Sequence, residues 1–470
     1  MVDCLPRLKV LRLNCCYGQV LAWLRPLMGL EFLQELAFIN DADNHLDDDT
    51  QSGPSALVLV HGGSDEGLEG SSDTSDTIGP EDENADVEYE LMPVHDAMNS
   101  DNEDEAILKP DHLGDFLAAR ASTLKRLRFE GSDLIGFRLF ETFNNTRSSA
   151  EPVANSVPVL ALKYLNLSNT TINHPRSVVE PLLRQCPGLE ILDISRNFDP
   201  PWNKFQWSIL HQYCLKLTSL NLGGITFIDN DQLIQVVHLC PGLSSLIAFQ
   251  SNLLNSVLDA IVDVRVEGSS FVVDGSAQQP ASFLELDVSW CTGITQDAIE
   301  RVLQHLPTLK SIKFSWCQHV NLSVFRRHWS CIGLEELEAQ GLEKPAIGDQ
   351  AKNTAEYIMF ERICRFQSLR RLVIGSDDVN VSVANGFDQL RGNRGGVDDQ
   401  KQRHLARLEY LELVGNEECP MGVAELAVIA DILPRLCRFH FGLGLVTPEM
   451  QAWLSSKRPD IQQDEQRIYF

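Results

Sequence analysis

One spacing of apolar residues constrains this chain more than any other feature. A leucine, or a residue that replaces one, is followed three and five positions on by two more, and in the first copy, Leu8, Leu11, Leu13, a small Cys16 comes after them. The run begins again at Leu33, Leu124, Leu162, Leu189, Leu217, Leu243, Phe283, Leu309, Leu334, Leu369, Leu408 and Leu436. Seven of the twelve intervals between these starts are 25 to 28 residues long, and the others read as one period plus an insertion. Chance supplies roughly one or two such runs in a leucine-rich chain, so thirteen on a shared period specify a repeat.

The physics of the unit follows from its spacing. Two apolar residues separated by one polar residue place both side chains on the same face of a short strand. The small Cys or Asn that follows turns inward to fill the bend. A return helix then brings the chain back. Thr295 caps such a helix, whose apolar face is Ile299, Val302, Leu303 and Leu306, and Pro307 ends it. Val178–Cys186 and Glu425–Leu433 repeat the arrangement before Pro187 and Pro434. The expected fold is therefore α/β, a leucine-rich-repeat solenoid or horseshoe with parallel concave strands, convex helices and about thirteen repeats. Each repeat buries its face only against its neighbours.

Three of the insertions set the domain boundaries. Residues 1–41 hold the first two repeats, 42–110 an acidic insertion, and 111–470 the remaining repeats, with loop insertions at about 262–280 and 377–402. Order resumes near Asp111, with Leu113, Phe116 and Leu117 on a return helix. The acidic insertion is rich in Asp, Glu, Ser and Gly and poor in aromatics, a composition that cannot bury enough surface to offset ordering, so a disordered loop is expected there. Its apolar islands, Ala56–Val60 and Tyr89–Val94, read either as short docking segments or as parts of a solvated insertion without a partner. Residues 41–110 carry 21 acidic residues against Lys109 alone, so they supply −20 of the net charge of −27. Without a basic surface, nucleic acid and membrane surfaces are disfavoured as partners. No apolar run reaches the ~18 residues of a membrane span, and the first residues do not resemble a secretory signal. Twelve cysteines then read as reduced thiols of a cytoplasmic or nuclear protein.

The run Leu286-Asp287-Val288-Ser289-Trp290-Cys291-Thr292-Gly293-Ile294-Thr295 resembles the cysteine-containing leucine-rich repeats of F-box proteins and their ribonuclease-inhibitor-like relatives. Gln185-Cys186-Pro187-Gly188-Leu189 and Leu239-Cys240-Pro241-Gly242-Leu243 are similar to that family's link from helix to strand. The resemblance implies a protein-interaction scaffold, the substrate-recognition region of an F-box-type ubiquitin-ligase receptor. A ubiquitin-ligase adaptor would be a partner only if an F-box lies upstream, because the first repeat begins at Leu8 and leaves no room for one. The alternative is a repeat-only regulator, an inhibitor or a GTPase-regulating protein with no ubiquitin role.

Catalytic chemistry finds no support. The chain has no phosphate-cradling G-x-x-x-x-G-K-[ST] run, no paired C-x-x-C and no H-E-x-x-H, so neither cofactor nor metal is expected. Cys317 and His319 are close in sequence, but Cys317 fills an inward position. The adjacent Cys15 and Cys16 occupy the bend of the first repeat. A partner would meet the concave face, where the residue between the two inward positions points outward. Arg128, Asn166, Asp193, Asn221, Asp287, Lys313, Glu338 and Glu412 belong to that column. Trp290 and Trp316 share a register at the strand exit, so their rings should stack, either as a packing ladder or as an anchor for a partner protein.

Overall fold

The structure, a computed structural model, describes residues 8–14, 30–39, 57–58, 116–131, 159–170, 175–197, 204–266, 271–273, 276–278, 281–343, 349–376, 387–391, 407–414, 425–428, 436–441 and 462–463, with a few single positions between them. It divides into two compact units, Met1–Lys216 and Leu217–Phe470. Every copy of the leucine motif forms a strand.

In the first unit these are β1 (Val10–Asn14), β2 (Glu35–Ile39), β4 (Arg126–Glu130), β5 (Tyr164–Asn166) and β6 (Ile191–Asp193). They pair in parallel, with Leu11, Leu36, Leu127, Leu165 and Leu192 side by side. The second unit holds β7 (Ser219–Asn221), β8 (Ser245–Ile247), β11 (Glu285–Asp287), β12 (Ser311–Lys313), β13 (Glu336–Gln340), β14 (Arg371–Gly375), β15 (Tyr410–Val414), β16 (Arg438–Phe441) and β17 (Gln462–Gln463). Here Leu220, Leu246, Leu286, Ile312, Leu337, Leu372 and Leu411 form the column. Every residue of both columns is at most 3% exposed. A parallel pair needs a crossover between its strands, and the return helices supply it: α1 (Pro175–Arg184) and α2 (Ser208–Tyr213) in the first unit, α3 (Asn230–Leu239), α4 (Asn255–Val266), α5 (Gln296–His305) and α6 (Asp349–Ile363) in the second. The chain is a leucine-rich-repeat solenoid.

The inward small residue does more than fill space. Asn197 donates to the Leu167 carbonyl of the preceding repeat at 2.9 Å and to its own Ile194 carbonyl at 2.7 Å, and it accepts from the Thr170 N–H at 3.0 Å. Cysteine does part of this work in the second unit, where the Cys291 thiol donates to Ala248 O at 3.0 Å and Cys317 to Val288 O at 3.2 Å. The bend leaves carbonyls inside the solenoid, and a buried carbonyl without a partner is costly. Cys15 and Cys16 lie outside the described residues.

Four expectations are modified. Thr295 does occupy the N-cap of α5, with Ile299, Val302 and Leu303 buried, but its hydroxyl makes no cap bond. Asn255 of the previous repeat takes it instead, donating to Thr295 Oγ1 at 3.0 Å while accepting from Thr295 N at 2.9 Å. The loop expected at 262–280 begins later, because α4 continues to Val266 and β9 (Phe271–Val273) pairs antiparallel with β10 (Ser276–Gln278). Within 377–402 a 3-10 turn, Phe387–Arg391, is anchored where buried Phe387 meets Phe360 of α6 edge-on at 5.3 Å. In the acidic insertion, Leu57–Val58 form β3, antiparallel to β1, with Arg12 opposite Val58 and Leu13 opposite Leu57. These two residues belong to the Ala56–Val60 island; the rest of 42–110 lies outside the described residues.

Leu286→Ala should cost about 2–5 kcal/mol in denaturant unfolding, since the residue is fully buried between two neighbouring repeats. Cys186, Cys214, Cys240, Cys291, Cys317 and Cys331 are buried, and burial pushes the Cys240, Cys317 and Cys331 thiols up to about 12. Peptide-mapped alkylation at pH 8 should therefore modify exposed Cys437 in the native protein and these six only after unfolding.

Candidate functional site

The outward column predicted from the repeat is the column that the strands assemble. In the first unit Arg12, Ala37, Arg128, Asn166 and Asp193 pair across β1, β2, β4, β5 and β6. In the second, Asn221, Ile247, Asp287, Lys313, Glu338, Val373, Glu412 and His440 do so. What these side chains do on the face differs from one to the next.

Four of them hold the backbone. Asn166 accepts from Ser168 N at 2.7 Å, Asp193 from Ser195 N at 3.0 Å, Asn221 from Gly223 N at 3.1 Å, and Asp287 from Ser289 N at 3.0 Å. Asn and Asp close such a turn because their short side chain reaches the N–H two residues on. The next residue then enters the left-handed region: Asn169, Arg196, Gln250, Trp290 and Trp316 have φ from 52° to 63°, and Gly131, Gly224 and Gly341 fill the same place. There its N–H reaches the neighbouring repeat, as Trp290 N does to Ser315 O and Trp316 N to Gln340 O, both at 2.8 Å.

The remaining candidates of the second unit form a charge lattice over β12 to β15. Lys313 reaches Glu336 at 3.1 Å and Glu338 at 3.2 Å, and Arg371 reaches the same two carboxylates at 3.1 and 2.8 Å. Arg371 also lies over the Tyr410 ring, 4.0 Å from its centre. Tyr410 donates to Glu412 at 2.6 Å, and Gln340 donates to its other oxygen at 2.7 Å. Glu412 is 3% exposed, so it is a support for the lattice and does not stand open on the face. Burial drives the Lys313 pKa down, but Glu338 and Glu336 outweigh it and raise it above its ordinary value. For Glu338, burial acts upward, and Lys313 with Arg371 prevails and holds the carboxyl below its ordinary range. Asp287 stands above its usual range because burial exceeds what Ser289 and Lys313 return.

Sequence reasoning missed Glu336, Arg371, Tyr410 and Gln340. The first three occupy the position before the first inward residue of the strand, which faces the same side by the alternation that selected Lys313 and Glu338. Applying the two-residue period once more in that direction would have found them. In the first unit the same position carries Glu35, Arg126 and Tyr164: Arg126 reaches Glu35 at 3.4 Å and covers the Tyr164 ring at 4.7 Å. Arg128 pairs with Glu130 on its own strand. Trp290 and Trp316 stack at 5.2 Å with an interplanar angle of 21°, and they are 50% and 37% exposed. Their backbones place them at the strand exit, three residues beyond Asp287 and Lys313.

Such a face suits recognition. Among the described residues no group of three or more His, Cys, Asp or Glu is gathered to hold a metal, and no helix is long and apolar enough to cross a membrane.

The chain matches no family model and no curated protein. Its strands superpose distantly on solved repeat structures. Rad7 from yeast, in its complex with Elc1, is 15% identical with a TM-score of 0.46, over 76% of this chain and 84% of that one. An internalin from Listeria monocytogenes is 16% identical with a TM-score of 0.37, over 77% and 89%. A Leptospira interrogans LRR protein is 12% identical with a TM-score of 0.32, over 76% and 92%.

Lys313→Met should lower stability by about 1 kcal/mol at neutral pH, because it leaves two half-buried carboxylates to share Arg371 alone. A carboxylate with a depressed folded pKa stabilises above its ordinary value, here 4.5, and loses that contribution as pH falls through the folded value. The gap between wild type and Lys313→Met should thus narrow below about pH 4.5; a gap of constant size down to about pH 3 would argue against the pairing.

Proposed function

We propose that the chain is a protein-binding scaffold whose open strand face holds a partner protein, and that it serves as the substrate-recognition region of an F-box-type ubiquitin-ligase receptor. The observation that carries the first part is the face of the second unit. Side chains from β12, β13, β14 and β15 form one lattice of fixed charges, bordered by two exposed indoles. Such a face presents its groups in a set geometry, and preorganised charge favours specific recognition. The described titratable groups of the lattice are paired to one another, an arrangement of recognition and not of proton transfer. The second part rests on the resemblance of the run Leu286 to Thr295 and of the two Cys-Pro-Gly-Leu links to F-box repeats.

The test pairs mapping with turnover. In cells expressing the tagged chain, cross-links to a captured protein should fall on strand-face positions such as Lys313, and Glu338→Lys should abolish them while Arg301→Glu on helix α5 leaves them intact. Depleting the chain should then lengthen the lifetime of that protein several-fold. A partner held stoichiometrically whose lifetime is unchanged would point to a repeat-only regulator.

A further inference from the structure

The molecule twice builds the same small assembly on its own strand face, and a third copy lacks one member. In the first unit, Arg126 lies over Tyr164 while its guanidinium bonds Glu35. In the second, Arg371 lies over Tyr410 while bonding Glu336 and Glu338. Each is a guanidinium between an aromatic ring and a carboxylate. Trp290 and Trp316 offer the larger aromatic surface, half and more than a third exposed, with carboxylates on β11 and β13. Among the described residues no cation lies over either indole.

We propose that Trp290, Trp316 and the neighbouring carboxylates of β11 to β13 form an acceptor for an arginine side chain carried on an extended segment of a protein partner. Charge complementarity selects this occupant. The outward positions of those three strands carry Glu285, Asp287, Glu336 and Glu338 against Lys313 alone, and Arg371 from β14 leaves the balance negative. Indole is the best of the aromatic rings for a cation, and a planar guanidinium can stack on it while still donating to a carboxylate. The fold does not call for tryptophan here. Gly224 and Gly341 occupy the same left-handed position in other repeats, where a bulky residue is uncommon. Gly341 has a further part: a Cβ there would overlap the Trp316 ring, so its absence lets the indole lie flat across the next repeat. Trp290 then lies on Trp316 with its own surface half open. The inference rests on the reading of the strand face as the site of a protein partner.

The test uses the full chain and a fluorescent Gly/Ser nonapeptide with three arginines, followed by anisotropy, with lysine and glutamate peptides of the same length beside it. The arginine peptide should bind most tightly and the glutamate peptide not at all. Trp290→Gly with Trp316→Gly leaves every charge in place, including those of the acidic insertion, and should weaken arginine-peptide binding at least about tenfold while the unfolding midpoint does not fall. Equal binding by the double variant would overturn the proposal and leave the scaffold reading standing, since that is decided by cross-links and partner lifetime. Should the double variant not fold, the wild-type indole N–H resonances decide: shifts of Trp290 and Trp316 on adding the arginine peptide support the site, and their absence overturns it. A dimer that these substitutions dissolve would make a second copy of the chain the occupant and equally overturn it.

Discussion

The structure depends on the contact between one repeat's inward leucines and the next repeat's. No repeat has a core of its own: Leu286 is covered because Leu246 lies on one side and Ile312 on the other. In such an array stability is a sum over neighbours, so the inward residue must be apolar at every step while the outward residue is free. That freedom is what the strand face exploits. The inward column varies little, whereas the outward one runs through Asn, Ile, Asp, Lys, Glu, Val, Glu and His in the second unit.

The freedom is incomplete, because each strand must also end. Four of the three-residue strands hand over to a turn in which a side chain accepts from the N–H two positions on, and Asn166, Asp193, Asn221 and Asp287 are those acceptors. These side chains stand in the outward column and resemble recognition groups by sequence, yet their oxygens are committed to the backbone. Lys313, Glu338 and Arg371 differ in being held by one another, so the strand face of the second unit carries both turn supports, Asn221 and Asp287, and a charge lattice.

Communication between repeats recurs at smaller scale. Asn197 serves a carbonyl of the repeat before it, and Asn255 holds the residue that opens a helix of the repeat after it. The expectation of a self-capped helix at Thr295 failed because its hydroxyl accepts from Asn255 and takes no N–H of the helix. The Phe387 turn shows the same effect in an insertion whose Gly- and Asn-rich composition suggested an unattached surface loop, although one aromatic residue suffices to anchor it against α6.

The amino-acid sequence by itself determined the strands, their parallel register and the identity of the outward column, because a period of leucines at i, i+3 and i+5 admits only one way to bury every copy. It also marked Trp290 and Trp316 as neighbours, since equal positions in consecutive repeats must lie side by side. Only the tertiary structure decided which outward residues remain available. Whether Asp287 supports a turn, whether Glu412 is sealed beneath Tyr410 and Gln340, and whether Arg371 joins Lys313 across two carboxylates all depend on groups 2 to 72 residues apart, some within one strand or its turn and some across strands. Period alone assigns a residue to a face; distance and angle between faces assign it a partner.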